Sequence, residues 1–265
     1  MTDGDVLSAE GITRHLKNRT LQVEYYPVIS STNTVLKERA AAGAPHGLVL
    51  AAGEQTGGRG RMGRKFFSPA DTGLYMSLLL RPERSAAETT MLTAAAAVAV
   101  AESVEALSGR KTEIKWVNDV LIAGKKICGI LTEASVDWKT GLADYAVVGI
   151  GVNTRLPAGD FPDELRETAG AVFRDGEIPE LRCRLAAAIL DRLTELCAAP
   201  DSEECYRAYR DRSSVLGREI NILLPGKEPV SAQVLDIERD YALLVRLTDG
   251  MLQRVNAGEV SIRPR

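Results

Sequence analysis

Residues 57–67 read Gly-Gly-Arg-Gly-Arg-Met-Gly-Arg-Lys-Phe-Phe, four glycines and four cations with no acid among them. Glycine lets backbone N–H groups turn inward toward a ligand. Arg59, Arg61, Arg64 and Lys65 add forked and point-charge donors suited to phosphate or carboxylate. The segment constrains the fold because it nearly satisfies two phosphate-binding patterns and fails both. Gly58-x-Gly60-x-x-Gly63 fits the dinucleotide pattern, which needs a helix to open next. Here Ser68-Pro69 and the Ala70-Asp71-Thr72-Gly73 turn lead instead into an apolar run over 74–80 that reads as a buried strand. A P-loop fails as well, because Arg64-Lys65 stand where Lys and Ser/Thr are required. With an apolar strand over 48–52 leading in, the expectation is an anion-binding loop between two strands. A plain solvated basic loop is the alternative, and it would not need four glycines.

The chain as a whole has 33 Lys and Arg against 36 Asp and Glu, a formal charge of −3. The cations are therefore a local site on an acidic protein, which points to a bound anionic small molecule. General nucleic-acid binding, which wants a broad basic face, is not expected. The length of 265 residues allows one large domain and a small one, and 45% apolar with 26% charged residues is ordinary for a soluble protein. The longest apolar run, 94–101, is far below the ~20 residues of a membrane span. No basic stretch and apolar core open the chain as a secretory signal would. Cys128, Cys183, Cys197 and Cys205 form no C-x-x-C pair and read as free thiols in a reducing cytoplasm. With only His15 and His46, zinc sites and histidine triads are not expected.

Along the chain, 8–17 is one short amphipathic stretch, too little for a helix-turn-helix domain with its own core. A strand over 21–29 leads to Ser30-Ser31-Thr32-Asn33, a run of N-cap candidates before a helix over 34–42 that Gly43 ends. Ser85 and Glu88 form a capping-box pair for a long Ala-rich helix over 85–108, closed by Gly109 and apolar enough to lie on a sheet. Strands are expected at 113–116, 120–122, 127–133 and 145–152, and helices at 179–199 and 202–212. From 215 the texture changes to short β runs at 219–224, 232–237, 242–247, 252–256 and 260–263. Closely spaced strands with tight turns predict a small barrel of about fifty residues.

Polar groups interrupt several of these strands. Lys115-Trp116-Val117-Asn118-Asp119 ends a strand with a cation, an amide and a carboxylate. Asp119 suits either Mg²⁺, which takes one or two carboxylates plus substrate phosphates, or a simple turn. Lys126 precedes an apolar strand, so its stem can be anchored while its ammonium faces a cleft; most lysines are merely solvated. Gly149-Ile150-Gly151-Val152-Asn153 puts glycines inside a strand, as close approach of a ligand or a structural bulge requires.

Taken in order, these segments resemble the biotin–protein ligases, also called biotin–[acetyl-CoA-carboxylase] ligases. The resemblance runs through Ser31-Thr32-Asn33, Gln55, Gly58-Arg59-Gly60-Arg61-x-Gly63-Arg64, Lys115-Trp116-x-Asn118-Asp119 and Gly124-x-Lys126-x-x-Gly129-Ile130-Leu131. It continues through Gly149-x-Gly151-x-Asn153 to Gly258-Glu259-Val260-Ser261-Ile262-Arg263. It implies an α/β (α+β) fold, with a central mixed β-sheet flanked by helices over 1–213 and an SH3-like β-barrel over 214–265. It implies two steps: biotin's carboxylate attacks the α-phosphate of MgATP to give biotinyl-5′-AMP, and an acceptor lysine then takes the biotin. Ser31, Thr32, Asn33 and Gln55 would surround biotin, with Gly129 and Gly149 closing the backbone on its ring. Gly58, Arg59, Gly60 and Arg61 would wrap the carboxylate and adenylate, with Lys126 as the central catalytic cation beside Arg59 and Arg61. Arg64, Phe66, Lys115, Asn118, Asp119, Asn153 and Arg263 would serve the nucleotide, Asp119 also the Mg²⁺. The glycine-arginine loop would order over ligand and shield the anhydride from water.

Two substitutions depart from the family pattern. Val117 stands where proline is usual, loosening the turn, and Phe66 replaces a tryptophan, keeping a ring for adenine. No N-terminal DNA-binding domain of the repressor-type members is recognised, so an enzyme without a DNA partner is expected. The acceptor implied is the biotin carboxyl carrier protein of acetyl-CoA carboxylase, docking by adding edge strands alongside the sheet, a surface also suited to a homodimer. A lipoate- or octanoate-protein ligase is the nearest rival, but its substrate wants an apolar tunnel whereas Ser31, Thr32, Asn33 and Gln55 suit a polar ureido head. A non-catalytic co-repressor would need an added DNA-reading module or a basic stripe, neither of which is recognised, and a pure biotin- or nucleotide-binding module would not need Lys126 and the arginine cluster together.

Overall fold

The two apolar runs that flank the glycine-arginine segment become antiparallel neighbours in one sheet. The computed structural model describes residues 5–82, 85, 89–137, 139–173, 178–224, 226, 228–256 and 258–262. The first part of the chain runs α1 (Ala9–His15), β1 (Gln22–Ile29), α2 (Thr32–Ala41), β2 (Leu48–Gln55), β3 (Gly73–Leu80), α3 (Thr89–Ser108), β4 (Glu113–Lys115), β5 (Asp119–Ile122), β6 (Lys125–Val136) and β7 (Ala143–Asn153). It continues through α4 (Asp163–Arg166), α5 (Leu181–Ala198) and α6 (Glu203–Asp211). The C-terminal part holds β8 (Glu219–Leu223), β9 (Val230–Ile237), β10 (Leu243–Leu247), β11 (Leu252–Val255) and β12 (Glu259–Ile262).

Strands one to seven form a single sheet in the order β1-β2-β3-β7-β6-β5-β4. Only β1 and β2 pair in parallel, their crossover carried by α2, so the sheet is mixed as expected. Strand side chains alternate between faces, and the two faces divide the labour. On one, Val49, Ala51, Met76, Leu78, Leu80, Val148, Ile150 and Val152 pack into the main core with α3. Residues 94–101 of α3 are fully buried, which their small side chains permit at close approach. By length and composition α3 could cross a membrane, but two-thirds of it is inside the protein, as a core helix is. On the other face, Leu50, Leu79 and Val147 pack under Leu36 and Ala40 of α2.

The C-terminal strands form a five-stranded antiparallel sheet, β11-β10-β9-β8-β12, in the SH3-like part of the chain. Its apolar residues Ile220, Val234, Leu243 and Val260 join the main core cluster. Trp116 Nε1 donates to the Tyr241 carbonyl (2.7 Å) and Tyr209 Oη to the Val117 carbonyl (3.2 Å). The Trp116–Val117 peptide is cis, with Val117 buried.

Helix boundaries follow caps. Ser31, one of the expected N-cap candidates, caps α2, which starts at Thr32, two residues earlier than the expected 34. Of the expected Ser85 and Glu88 capping box, residue 88 lies outside the described residues, and Ser85 makes an antiparallel bridge with Leu142. Ser202 caps α6, its Oγ accepting from Cys205 N at 3.3 Å. Ser202→Ala should therefore cost about 1 kcal/mol of stability. Urea unfolding should show it as a lower midpoint at unchanged slope; an unchanged midpoint would mean the cap bond is not made in solution.

Candidate functional site

Beyond the N-terminus of α2, the face that α2 covers opens into a cleft of about 680 Å³, a size that suits a small-molecule ligand. The register explains why there is room. Ser77 pairs with Gly149, Gly149 with Leu131, and Gly151 with Gly129, so three of the central positions on this face lack side chains. The space above Gly129 and Gly151 holds the Phe66 ring, and a Cβ on Gly151 would lie 2.5 Å from its Cε1. Phe66 thus lies on the sheet as cleft floor, edge-on to Tyr75 at 6.4 Å.

Lys126 reaches this face through a bulge. Asp119 pairs with Gly129 and Val120 with Cys128, but Leu121 pairs with Lys126, so Ile127 is an extra residue in β6. The bulge shifts the alternation by one and turns Lys126 to the side of Gly129. Its backbone is then held on both sides: Lys126 N donates to the Thr168 carbonyl (2.8 Å) and Gly170 N to the Lys126 carbonyl (2.8 Å). Asn153 Nδ2 in turn donates to the Gly170 carbonyl at 3.0 Å. The ammonium forms an ion pair with Asp119 Oδ1 at 2.7 Å. Cys128 faces away, and burial pushes its thiol pKa far up.

The glycine-arginine segment forms a small antiparallel excursion, with Arg59 bridged to Lys65 and a 3₁₀ turn at Arg61–Gly63. Phe66 N donates to the Gly58 carbonyl (3.0 Å) and Gly60 N to the Arg64 carbonyl (2.8 Å). Arg61 spans two partners, Asn118 Oδ1 (3.0 Å) and the Gly258 carbonyl (2.9 Å), and so ties the segment to the C-terminal part. Asn118 also donates from Nδ2 to the Ile130 carbonyl at 3.0 Å.

At the opposite end of the cleft is a polar cluster. Gln55 Oε1 accepts from Thr32 N (2.9 Å), and Gln55 Nε2 donates to Ser68 Oγ (3.1 Å). Ser77 Oγ lies 2.7 Å from Thr32 Oγ1 and 2.6 Å from Asn33 Oδ1. Asn33 Nδ2 donates to the Leu131 carbonyl and to Glu133 Oε2, both at 3.1 Å.

Ser31, Thr32, Asn33, Gln55, Arg59, Gly60, Arg61, Arg64, Phe66, Lys115, Asn118, Asp119, Lys126, Gly129, Gly149 and Asn153 all line this one cleft. Gly58 is not among the lining residues. It is buried beneath the loop, where a Cβ would meet the Phe66 carbonyl oxygen at 2.4 Å and Ser68 Oγ at 2.6 Å. Arg263 lies outside the described residues. Sequence reasoning missed Ser77, Glu133, Ser68 and the Phe67–Phe161 pair, whose ring centroids are 6.5 Å apart at the cleft wall. Ser77 carried a signal, a serine inside an otherwise apolar and aromatic run, since a buried polar group needs a partner. Among the described residues no group of three or more His, Cys, Asp or Glu is placed to hold a metal ion.

A family model described as the biotin/lipoate A/B protein ligase family matches residues 25–153, and one described as the biotin protein ligase C terminal domain matches residues 215–263. The bifunctional ligase/repressor BirA of Bacillus spizizenii is 46% identical over 145 residues, 55% of this chain and 44% of that protein, so the match spans less than half the relative's length. A biotin--[acetyl-CoA-carboxylase] ligase of Mycobacterium tuberculosis is 31% identical over 277 residues, covering 98% of each chain. The structure of the biotin protein ligase from Aquifex aeolicus in complex with biotin and ATP superposes with a TM-score of 0.73 at 25% identity, over 92% of this chain and 99% of that one. Matched along nearly its whole length by such a relative, and in both of its parts by family models, this chain belongs to the biotin protein ligase family.

Proposed function

We propose that the cleft activates biotin with ATP to biotinyl-5′-AMP and pyrophosphate, and then passes biotin to a lysine of a biotin carboxyl carrier protein of acetyl-CoA carboxylase. The observation that carries this reading is the pairing, within one cleft, of a buried polar head-group pocket with a cation cluster around Lys126. A carboxylate and a triphosphate repel one another, so they react only where cations are already gathered. Lys126 bridges the carboxylate and the α-phosphate as the central catalytic group, with Arg59 and Arg61 neutralising the charge that develops at phosphorus. Ser31, Thr32 and Gln55 meet the ureido head of biotin, and Gly60, Gly129 and Gly149 leave it room. Arg64, Phe66, Lys115, Asn118, Asp119, Asn153 and Arg263 serve the nucleotide.

Mg²⁺ fits this site as an ion carried in on the phosphates, which would supply most of its ligands; Asp119 would add one carboxylate oxygen. Bound there, it would neutralise phosphate charge.

Residues 1–213 form the catalytic unit and 214–265 the C-terminal unit, a division supported by the passage from α6 into an all-β sheet at that point. The carrier protein docks by strand addition at an edge of the large sheet, where β1 and β4 stand, and a homodimer would use the same kind of edge. A cytoplasmic setting accords with four free cysteines.

The test is pyrophosphate release from MgATP with biotin, lipoate or octanoate in parallel. Release with biotin alone is expected. Release only with lipoate or octanoate would move the assignment to acyl ligation, and none with any of the three would leave a binding protein.

A further inference from the structure

Glu133, on β6, belongs to none of the patterns that pointed to the cleft, yet it contacts the head-group pocket and the glycine-arginine segment together. Its Oε2 accepts from Asn33 Nδ2 at 3.1 Å, while Oε1 lies 2.5 Å from Lys37 Nζ and 3.7 Å from Arg59 Nη2. Burial would raise its pKa, but hydrogen bonds from Lys37 and Asn33 and the charges of Lys37 and Arg59 prevail and hold it below the ordinary carboxylate value. An ionised carboxylate can only accept. The Leu131 carbonyl, also 3.1 Å from the Asn33 amide, can only accept too.

Facing two such acceptors, Asn33 has one workable orientation. Nδ2 turns toward Glu133 and Leu131, and Oδ1 toward Ser77. Ser77 Oγ, 2.6 Å from that oxygen, must spend its single proton there. Thr32 Oγ1 has two acceptors within reach, Ser77 Oγ at 2.7 Å and Gln55 Oε1 at 3.2 Å; because the Ser77 proton is already spent, the shorter contact needs the Thr32 proton, which goes to Ser77. Ser77 is wholly buried, and Thr32 and Asn33 are nearly so, so water does not reach the Ser77 hydroxyl to relax the arrangement. A direction of proton donation thus runs from Thr32 through Ser77 and Asn33 to Glu133.

The consequence lies at the pocket wall. With its proton committed, Thr32 Oγ1 presents lone pairs. Gln55 Oε1, fixed by Thr32 N at 2.9 Å, presents another. Ser31 Oγ accepts from Thr34 N at 3.5 Å, which leaves its proton to donate outward. Acceptors for N–H groups beside a donor for a carbonyl complement a cyclic urea and do not complement a dithiolane or an alkyl chain.

We infer that Glu133 is a positioning residue that makes this pocket select an N–H-bearing head group, acting through Asn33, Ser77 and Thr32 without touching substrate. The inference rests on the biotin reading above and gives head-group selectivity a cause. The experiment compares biotin with biotin methylated at a ureido nitrogen, by pyrophosphate release, in the unmutated chain, Glu133→Leu, Glu133→Gln and Ser77→Ala. Glu133→Leu should raise KM for biotin at least about tenfold, with kcat changed far less, and should shrink the preference over the methylated analogue by a similar factor. Glu133→Gln, which keeps an acceptor for Asn33, should retain most of the preference. Ser77→Ala cuts the same chain at another link and should lose the preference too, so the test survives if Glu133→Leu does not fold. A folded Glu133→Leu or Ser77→Ala chain with undiminished preference would overturn the inference, as would Glu133→Gln behaving like Glu133→Leu. Failure of the unmutated chain to release pyrophosphate with biotin would overturn the biotin reading instead.

Discussion

Lys126→Ala is expected to slow biotin-dependent pyrophosphate release by roughly 10²–10³-fold, the loss typical of removing one preorganised donor from developing charge. The fold should survive, because the Lys126 side chain is about a third exposed and forms its ion pair with Asp119 within the cleft. The clamp by Thr168 and Gly170 uses only the backbone and persists in alanine. Two effects combine in the loss. The cation that would join carboxylate and phosphate is gone, and Asp119, no longer neutralised, adds a negative charge beside the phosphates. Adding Asp119→Asn to Lys126→Ala should therefore cost less than the two single losses combined, a coupling that a double-mutant cycle measures. Near-normal single-turnover adenylate formation in a folded Lys126→Ala chain would remove this residue from the centre of the reaction. Lys126→Arg is a useful companion: charge is kept, but a planar fork does not replace a point ammonium seated over Gly129.

Much of this arrangement was legible in the sequence where local chemistry and tertiary demand coincide. The 74–80 run reads as a buried strand and is one, extended by Gly73, because an apolar run after a Pro-Gly-rich turn has few other uses. The cations and glycines of 57–67 pointed to a ligand-facing loop between two strands, and Arg59, Gly60, Arg61, Arg64 and Lys65, which lie between β2 and β3 in the chain, do line the cleft. What stayed illegible depends on register. Lys126 and Gly129 share a face only through the bulge at Ile127, and strict alternation would have set them on opposite faces. Gly58 looked like its neighbours Gly57 and Gly60, and only the packed loop shows that it serves Ser68 and the Phe66 carbonyl. Phe66 was expected to keep a ring for adenine, and its seat over Gly129 and Gly151 is a contact between a loop and strands distant in the chain, which spacing does not show. Glu133 escaped notice because a charged residue far along a strand ordinarily faces solvent.

Gly149→Ala should be the most damaging conservative change on the sheet. A Cβ there would sit 2.0 Å from Asn33 Oδ1 and 2.7 Å from its Cγ. The β7 backbone cannot retreat, since Gly149 pairs with Ser77 on one side and Leu131 on the other. Asn33 cannot retreat either, being bonded to Leu131, Glu133 and Ser77. Overpacking of this kind costs typically ~1–3 kcal/mol, and here it would also displace the side chain that orders the head-group pocket. Biotin affinity, measured by calorimetry, should fall at least about tenfold, the equivalent of one buried hydrogen bond broken. Gly151→Ala provides the contrast: its Cβ would strike the Phe66 ring at 2.5 Å, but that ring borders an open cleft and can swing aside. It should lose little stability while obstructing the cleft. The decisive variant is Asn33→Ala combined with Gly149→Ala. If the clash is with Asn33, the double change should be more stable to urea than Gly149→Ala alone, because the methyl group then occupies the space the amide leaves. A double variant no more stable than Gly149→Ala would place the strain in the strand itself and deny Asn33 the fixed position from which the pocket's hydrogen-bond direction follows.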